Sequence, residues 1–318
     1  MIIILITFCL FVIELIYFRV AERFNIIDKP NARSLHNDTT IRGGGIIFLV
    51  AAVFYFIYSH FQYPFFFLGV TAVALISFLD DIFTLPNRYR LLFQFIAIIS
   101  ILLEVHFFSN PIWIWLGVLV ICVGIINAYN FMDGINGMTG GYSTIVLLAL
   151  WYINNYHLMF IENDFLTFTF LGLTVFNYFN FRTKAKCFAG DVGSISIAVI
   201  ILFLLLKLIL QERNLIYIFF LSVYGVDSVL TIIHRLFLKE NIFKAHRLHL
   251  FQVLVYTLKI PHLMMASIYM LVQSIACCVV IVSLNYSLNS QLIVVFSLII
   301  LLILSYIIIK KKVMILAV

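Results

Sequence analysis

Five short polar segments interrupt the long apolar runs of this 318-residue chain, and they hold 12 of its 20 basic residues, 7 of its 14 carboxylates and 3 of its 8 histidines. In chain order, polar segments 1 to 5 are Asp28–Gly45, Asp80–Gln94, Asn127–Gly141, Arg182–Ser194 and Arg235–Gln252. Carboxylates, amides, histidines and arginines are the groups with which proteins hold metal ions and phosphates. Their placement between apolar runs predicts catalysis at a membrane.

Polar segment 2 opens with two adjacent carboxylates, Asp80 and Asp81, at the end of an apolar run. Two adjacent carboxylates repel each other and are costly to desolvate at a membrane boundary, so the pair needs a cation or a proton. Arg88 and Arg90 follow within reach of an anionic substrate. A pair of solvated helix caps is the alternative interpretation of this segment alone.

Polar segment 3 carries four amide or carboxylate side chains at every third position, interleaved with glycines. These are Asn127, Asn130, Asp133 and Asn136. If the stretch is helical, the four groups lie near one face, and the glycines permit close approach of a ligand. A ligand-free turn rich in Asn and Gly is the alternative, but a simple turn does not need four such groups in register.

Polar segment 4 contains Gly190-Asp191-Val192-Gly193-Ser194 at the start of an apolar run. A turn that leads into a helix offers free backbone N–H groups to phosphate, and a carboxylate beside them can hold a hard metal ion. Capping of the helix by Asp191 or Ser194 is the alternative.

Polar segment 5 places His246 and His249 three residues apart, with Arg247 between them. Zinc is one interpretation, but no cysteine or third histidine lies at ligand spacing, and the carboxylates elsewhere favour Mg²⁺. Anion binding fits this segment better. Asp227, about two turns before Arg235 within an apolar run, is a further candidate for a functional role.

Polar segment 1 supplies basic side chains that suit an anionic headgroup, or else form a basic loop near lipid. They are Lys29, Arg33, His36 and Arg42, the last of which begins the run Arg42-Gly43-Gly44-Gly45.

The composition determines which elements position these groups. With 64% hydrophobic and 11% charged residues and a mean hydropathy of +1.14, the chain has too little polar surface for a soluble protein of this size. We predict an all-α helical bundle, a single transmembrane domain over residues 1–318, with about eleven spans and ten as the alternative. The spans centre near Ile2–Phe18, Ile46–Tyr58, Phe65–Leu79, Leu91–Val105, Ile112–Ile126, Thr144–Tyr156, Phe165–Phe179, Ile195–Leu210, Leu215–Ile233, Leu263–Leu284 and Leu292–Ile309.

The basic residues predict the orientation, because Lys and Arg accumulate in cytoplasmic loops. With the N-terminus outside and the C-terminus inside, 18 of the 20 lie on the inner side, and only Lys207 and Arg213 do not. All five polar segments then share the cytoplasmic face, which predicts one active site there. The net charge of +6 is spread over separate loops, which favours anionic lipid and phosphate substrates over nucleic acid.

Taken in order, the segments resemble the polyprenyl-phosphate N-acetylhexosamine-1-phosphate transferases, which form glycosyltransferase family 4. The resemblance covers Asp28 to Gln252 and is strongest to the bacterial branch that starts O-antigen or capsule chains. It rests on Arg42–Gly45, Asn130–Gly134, Gly190–Ser194 and Ala245–His249.

The resemblance implies transfer of a GlcNAc-type sugar 1-phosphate from a UDP-sugar to undecaprenyl phosphate, with release of UMP. It implies a multi-pass enzyme of the bacterial inner membrane that uses Mg²⁺, with Mn²⁺ as an alternative. The sugar, the glycan pathway and the oligomeric state, with a homodimer among the options, stay open. A transporter or lipid flippase is the competing class, but such proteins place ionisable groups near the middle of the membrane.

Residue by residue, the resemblance implies that Asp80 and Asp81 orient or deprotonate the lipid phosphate and that Asp191 is a metal ligand. The remaining positions are implied to bind substrate: Asn127, Asn130, Asp133 (also a metal ligand), Asn136, Arg90, His246, Arg247, His249, Lys29, Arg33, His36 and Arg42. Relatives commonly read Asp-Gly-x-Asp-Gly where this chain has Asp133-Gly134-Ile135-Asn136-Gly137, so it lacks a second carboxylate there.

Overall fold

The computed structural model describes residues 2–28, 39–241 and 246–316, and 80% of the structure is helical. The helices are α1 (Ile2–Arg23), α2 (Ile46–Tyr58), α3 (Pro64–Phe83), α4 (Asn87–Glu104), α5 (Ile112–Met132), α6 (Met138–Tyr156), α7 (Asn163–Asn180), α8 (Gly190–Glu212), α9 (Ser222–Phe237), α10 (Leu250–Leu258), α11 (His262–Ser283) and α12 (Leu288–Leu316). Short 3₁₀ turns lie at Phe107–Ser109 and Leu215–Leu221. The all-α prediction is confirmed.

Each of the eleven apolar runs forms a helix, because a backbone in hydrocarbon must satisfy its own hydrogen bonds. By length and hydropathy, seven segments of the described chain are able to cross a membrane. They are Ile2–Arg23, Pro64–Phe83, Ile112–Met132, Gly190–Glu212, Leu215–Phe237, His262–Ser283 and Leu288–Ile315. The protein is therefore a multi-pass membrane protein, while the count of eleven spans and the orientation stay predictions.

Helix α8 is the centre of the bundle. Its most apolar stretch is 94% buried inside the protein, whereas that of α12 is only 11% buried. Helices α2, α3, α5 and α6 pack around α8. Because Asp191 lies in the first turn of α8, the central helix carries polar segment 4 into the middle of one end of the bundle.

Two features of the fold depart from the sequence prediction. Strand β1 (Ile27–Asp28) pairs antiparallel with β2 (Thr40–Ile41), and Ile41 forms a parallel bridge with Cys187. Polar segments 1 and 4 are therefore joined through backbone, where a basic loop was one of the predictions. The second departure is α10, a helix of nine residues that lies between the predicted spans Leu215–Ile233 and Leu263–Leu284.

Candidate active site

The glycines of polar segments 1 and 4 allow two backbones to touch. Gly45 and Gly193 face each other so closely that a Cβ on either would overlap the other's backbone. Gly190 has φ of +70°, and a Cβ there would lie 2.6 Å from Oδ2 of Asp81. Only glycine fits this combination of left-handed backbone and crowding. The close approach brings Arg42, Asp81 and Asp191 into one site.

Asp81 fixes the beginning of α8. Its Oδ1 accepts the backbone N–H of Asp191 at 2.9 Å, and its Oδ2 accepts that of Val192 at 3.0 Å. The Nε of Arg42 lies 2.8 Å from Oδ1 of the same carboxylate. A carboxylate at a helix N-terminus satisfies free N–H groups and interacts favourably with the helix dipole. Asp81 thus orients the loop that carries Asp191.

Arg90 connects three groups of the site. Its guanidinium lies 3.4 Å from Oδ2 of Asp80 and 3.3 Å from Oδ2 of Asp191, and it donates to Oδ1 of Asn130 at 3.0 Å. Asp80 also accepts the backbone N–H of Leu85, which holds its carboxylate at the end of α3. One arginine on α4 therefore aligns polar segments 2, 3 and 4.

Asn130 supports Asp191 from α5. Its amide nitrogen donates to Oδ1 of Asp191 at 2.8 Å and to Oγ of Ser194 at 3.1 Å. Its amide oxygen already accepts from Arg90, so both ends of the side chain are used. Ser194 was noted in the sequence only as a cap, and the structure adds this contact to Asn130.

Arg42 stays charged in the site. Burial lowers the pKa of its guanidinium, but the carboxylates of Asp81 and Asp191 outweigh burial and leave the pKa above its ordinary value. The phenol of Tyr17 donates to the carbonyl of Arg42 at 2.5 Å and fixes this residue from α1. Arg42 and Arg90 together supply positive charge on both sides of Asp191.

Asp133 lies just past the end of α5, where Thr139 donates to its Oδ1 at 2.7 Å. Burial raises the pKa of Asp133 to about 7, and the charge of Asp191 adds to this effect. A carboxyl that is costly to ionise here is suited to meet a cation or a substrate N–H group. Its predicted role as a metal ligand stays a prediction.

The remaining amides of polar segment 3 contact other parts of the protein, and their predicted role in substrate binding stays a prediction. Asn127 donates to Oε1 of Gln94, and Asn136 donates to the carbonyls of Arg182 and Thr183. The four groups do not share one helical face, because α5 ends at Met132. Asn127 and Asn130 lie on α5, whereas Asp133 and Asn136 belong to the turn that follows.

Polar segment 5 lies beside the end of α5. The ring of His249 is 6.1 Å from that of Phe131 and 5.0 Å from that of His246, measured between centroids. Burial lowers the pKa of His246 to about 4, with further lowering by the charges of His249 and Arg235. Arg247 stacks over the ring of Tyr256 at 5.4 Å. The structure thus brings His246 and His249 next to Phe131, the neighbour of Asn130.

Three predicted substrate-binding residues, Lys29, Arg33 and His36, lie outside the described residues. Within the described ranges, no group of three or more His, Cys, Asp or Glu side chains is arranged as a preformed metal cage. The carboxyl groups of Asp80 and Asp191 nevertheless lie within hydrogen-bonding contact. Two carboxylates in contact require a shared proton or a cation between them.

These contacts define a class of protein: a helical membrane protein with a carboxylate and arginine cluster at one end of its bundle, equipped to bind an anionic ligand. The comparisons with known proteins show what the chain is similar to. Residues 63–209 match the family described as glycosyl transferase family 4, the family that the motifs resemble.

Three relatives illustrate the match. A Bacillus subtilis protein named "Probable undecaprenyl-phosphate N-acetylglucosaminyl 1-phosphate transferase" is 28% identical over 73% of this chain and 70% of its own length. The undecaprenyl-phosphate alpha-N-acetylglucosaminyl 1-phosphate transferase of Thermotoga maritima is 26% identical over 72% of each chain. The phospho-N-acetylmuramoyl-pentapeptide-transferase of the same organism is 28% identical over 65% of this chain and 73% of its own.

Proposed function

We propose that the protein transfers N-acetylhexosamine 1-phosphate from a UDP-sugar to undecaprenyl phosphate and releases UMP. The relatives named as undecaprenyl-phosphate N-acetylglucosaminyl 1-phosphate transferases support this reaction. Both substrates carry phosphate, and the oxygen of the lipid phosphate attacks the phosphorus that bears the sugar. The product is an undecaprenyl diphospho-sugar, the first lipid-linked intermediate of a surface glycan such as O-antigen or capsule. The proposed location is the bacterial inner membrane, with the site facing the cytoplasm.

The observation that carries this proposal is the convergence of Asp80, Asp191, Arg42, Arg90 and Asn130. Arg42 and Arg90 lie where they can bind phosphate oxygens and offset charge that develops on the leaving UMP. Asp80 is held by Arg90 and by the N–H of Leu85. It is suited to orient the lipid phosphate or to accept its proton. Phosphoryl transfer depends on such positioning more than on a dedicated nucleophile, which favours direct displacement.

We propose Mg²⁺ as the cofactor, with Mn²⁺ as an alternative. Mg²⁺ in phosphoryl-transfer sites is held by one or two carboxylates together with substrate phosphates and water, so it does not need a complete protein cage. The contact between Asp80 and Asp191 fits this requirement, because a cation relieves their repulsion. Asp191 would hold the ion, with Asp133 as the second candidate. The ion would neutralise charge on the diphosphate.

The test uses the purified protein with undecaprenyl phosphate, Mg²⁺ and a panel of UDP-N-acetylhexosamines. We expect release of UMP and a lipid diphospho-sugar by mass spectrometry for at least one donor. Chelation by EDTA should stop the reaction, and added Mg²⁺ should restore it. Asp191→Asn should abolish it. Movement of a lipid or sugar without bond cleavage would instead support the transporter class.

A further inference from the structure

A second polar cluster contacts polar segment 5. It is separate from the site formed by Asp80, Asp81, Asp191, Arg42 and Arg90. Its centre is Asp227 on α9, which is 2% exposed. Its Oδ1 lies 3.2 Å from Nδ1 of His249 and accepts the backbone N–H of Leu250 at 3.0 Å. Its Oδ2 accepts the phenol of Tyr269, on α11, at 2.7 Å. Asp227 is therefore surrounded by groups from three helices or their ends.

The backbone beside His249 is also held from α12. The ammonium group of Lys310 donates to the carbonyl of Leu248 at 2.6 Å and to the phenol oxygen of Tyr306 at 2.6 Å. Tyr306 in turn shares a hydrogen bond of 2.8 Å with Thr231, which donates to Oδ1 of Asp227. The ring of His249 is thus fixed by its own nitrogen and by its neighbouring peptide.

The other ring nitrogen of His249 is Nε2. Nε2 of His249 is buried and makes no hydrogen bond in the part of the chain that the structure describes. The ring is 2% exposed and lies beside Phe131 and His246. The preceding residue on α5, Asn130, holds Asp191. A buried nitrogen that the described residues leave without a partner, next to the site, is available to pair with a bound molecule.

We propose that Asp227 is a positioning residue that acts through His249. The role in catalysis rests on the proposed function. An ionised carboxylate only accepts hydrogen bonds, so pairing with Asp227 places a proton on Nδ1 of His249. Nε2 is then the nitrogen offered to the sugar nucleotide: it accepts from a hydroxyl when the ring is neutral and donates to a phosphate oxygen when the ring is protonated.

A competing arrangement makes the proposal testable. His249 is the N-cap of α10 and forms a reciprocal capping box with Gln252, in which the histidine side chain accepts the backbone N–H of Gln252. In that bond Nδ1 is unprotonated and accepts, whereas in the pair with Asp227 Nδ1 is protonated and donates. Hydrogen bonds to an ionised group are the stronger ones. We therefore expect the bond to Asp227 to determine the tautomer.

The direct test is nitrogen NMR of the membrane protein labelled with ¹⁵N-histidine, with the His249 signals assigned by their loss in His249→Gln. We expect a protonated Nδ1 in the wild type and a change of the His249 signals in Asp227→Asn. A bare Nδ1 together with Nε2–H in the wild type would overturn the pairing. This readout does not depend on activity.

The kinetic test compares Asp227→Asn, His249→Gln and the double variant in the UMP-release assay. Asp227→Asn should lower kcat at least about tenfold, because orientation of a proton-transfer or charge-stabilising group is lost. The double variant should be no slower than His249→Gln, since both changes remove the same contribution. Losses that multiply would contradict action through His249.

Asn154→Ala is the control for general destabilisation. Asn154 is buried near the C-terminal end of α6, where its side-chain oxygen accepts the backbone N–H groups of Phe160 and Ile161. We expect it to lower thermal stability while leaving kcat of the folded protein near the wild-type value. An equal loss of kcat in Asn154→Ala and Asp227→Asn would overturn the positioning role. Absence of UMP release by the wild type would overturn the proposed function and leave the NMR result to decide the pairing.

Discussion

The carboxylate of Asp81 accepts the backbone N–H groups of Asp191 and Val192, so a residue at the end of α3 holds the first turn of α8. Adjacent acids therefore have different surroundings. Both oxygens of Asp81 accept backbone N–H groups, and Arg42 pairs with one of them. Asp80 instead contacts Arg90 and Asp191. We infer that Asp81 shapes the site and that Asp80 is the one available to a substrate.

The first prediction separates these two roles. In Asp81→Asn, an NH₂ group would replace one oxygen and face a backbone N–H, which leaves buried donors without acceptors at a cost of about 1–3 kcal/mol. We expect both activity and thermal stability to fall. Asp80→Asn should lose activity with a smaller loss of stability. Thermal unfolding in detergent, measured beside UMP release, checks this, and equal destabilisation by both changes would contradict it.

The second prediction concerns the fork geometry of Arg90. Lysine keeps the charge but cannot contact Asp80, Asp191 and Asn130 together, so Arg90→Lys should lower kcat/KM at least about tenfold. Arg88→Lys is the matched control, because Arg88 lies on the same helix and its guanidinium contacts the ring and hydroxyl of Tyr89, an exposed neighbour. Similar losses in the two variants would mean that charge alone matters.

The third prediction concerns Gly190. Alanine there would combine a left-handed backbone with an overlap against Asp81, so Gly190→Ala should displace the loop that carries Asp191. We expect loss of most activity. Gly225→Ala is the control, because a Cβ at Gly225 meets nothing within 4 Å in the described structure. Full activity in Gly190→Ala would show that the close approach is not needed.

The fourth prediction is a pH dependence of stability. The pKa of His246 is lowered to about 4 by burial, below its ordinary value of 6.5, so the unfolded chain binds the proton more readily. This residue's contribution is complete above pH 6.5 and is lost as the pH falls toward 4. Between pH 7 and pH 5 the melting temperature of the wild type should therefore fall further than that of His246→Gln. The difference between the two falls should be about 2–4 °C. Parallel curves would contradict the shift.

Much of this site could be predicted from the sequence, because the chemistry of its short motifs requires particular partners. Asp80 and Asp81 needed a cation, and in the fold Arg90 and Arg42 supply the positive charge. The helices followed from apolar runs long enough to satisfy their backbone in lipid.

Other features depend on long-range packing that no local pattern encodes. Asn127 lies on α5 with Asn130 but contacts Gln94 on α4, and Asn136 lies past the end of α5 and contacts the Arg182 backbone. Lys310 belongs to a basic run at the end of α12, which is typical of a membrane anchor. Its contact with the Leu248 carbonyl depends on how α12 packs against α9 and α10.

The most direct test of the central claim follows the β-phosphate of the donor. The purified protein is incubated with undecaprenyl phosphate, Mg²⁺ and UDP-N-acetylglucosamine labelled with ³²P in the β position, with the Asp191→Asn variant as control. Transfer of sugar 1-phosphate predicts that the label moves to the lipid and that UMP is released, in the wild type alone. Label recovered in released UDP would show transfer of the sugar without its phosphate, and unchanged donor from folded protein would contradict transfer from this nucleotide sugar.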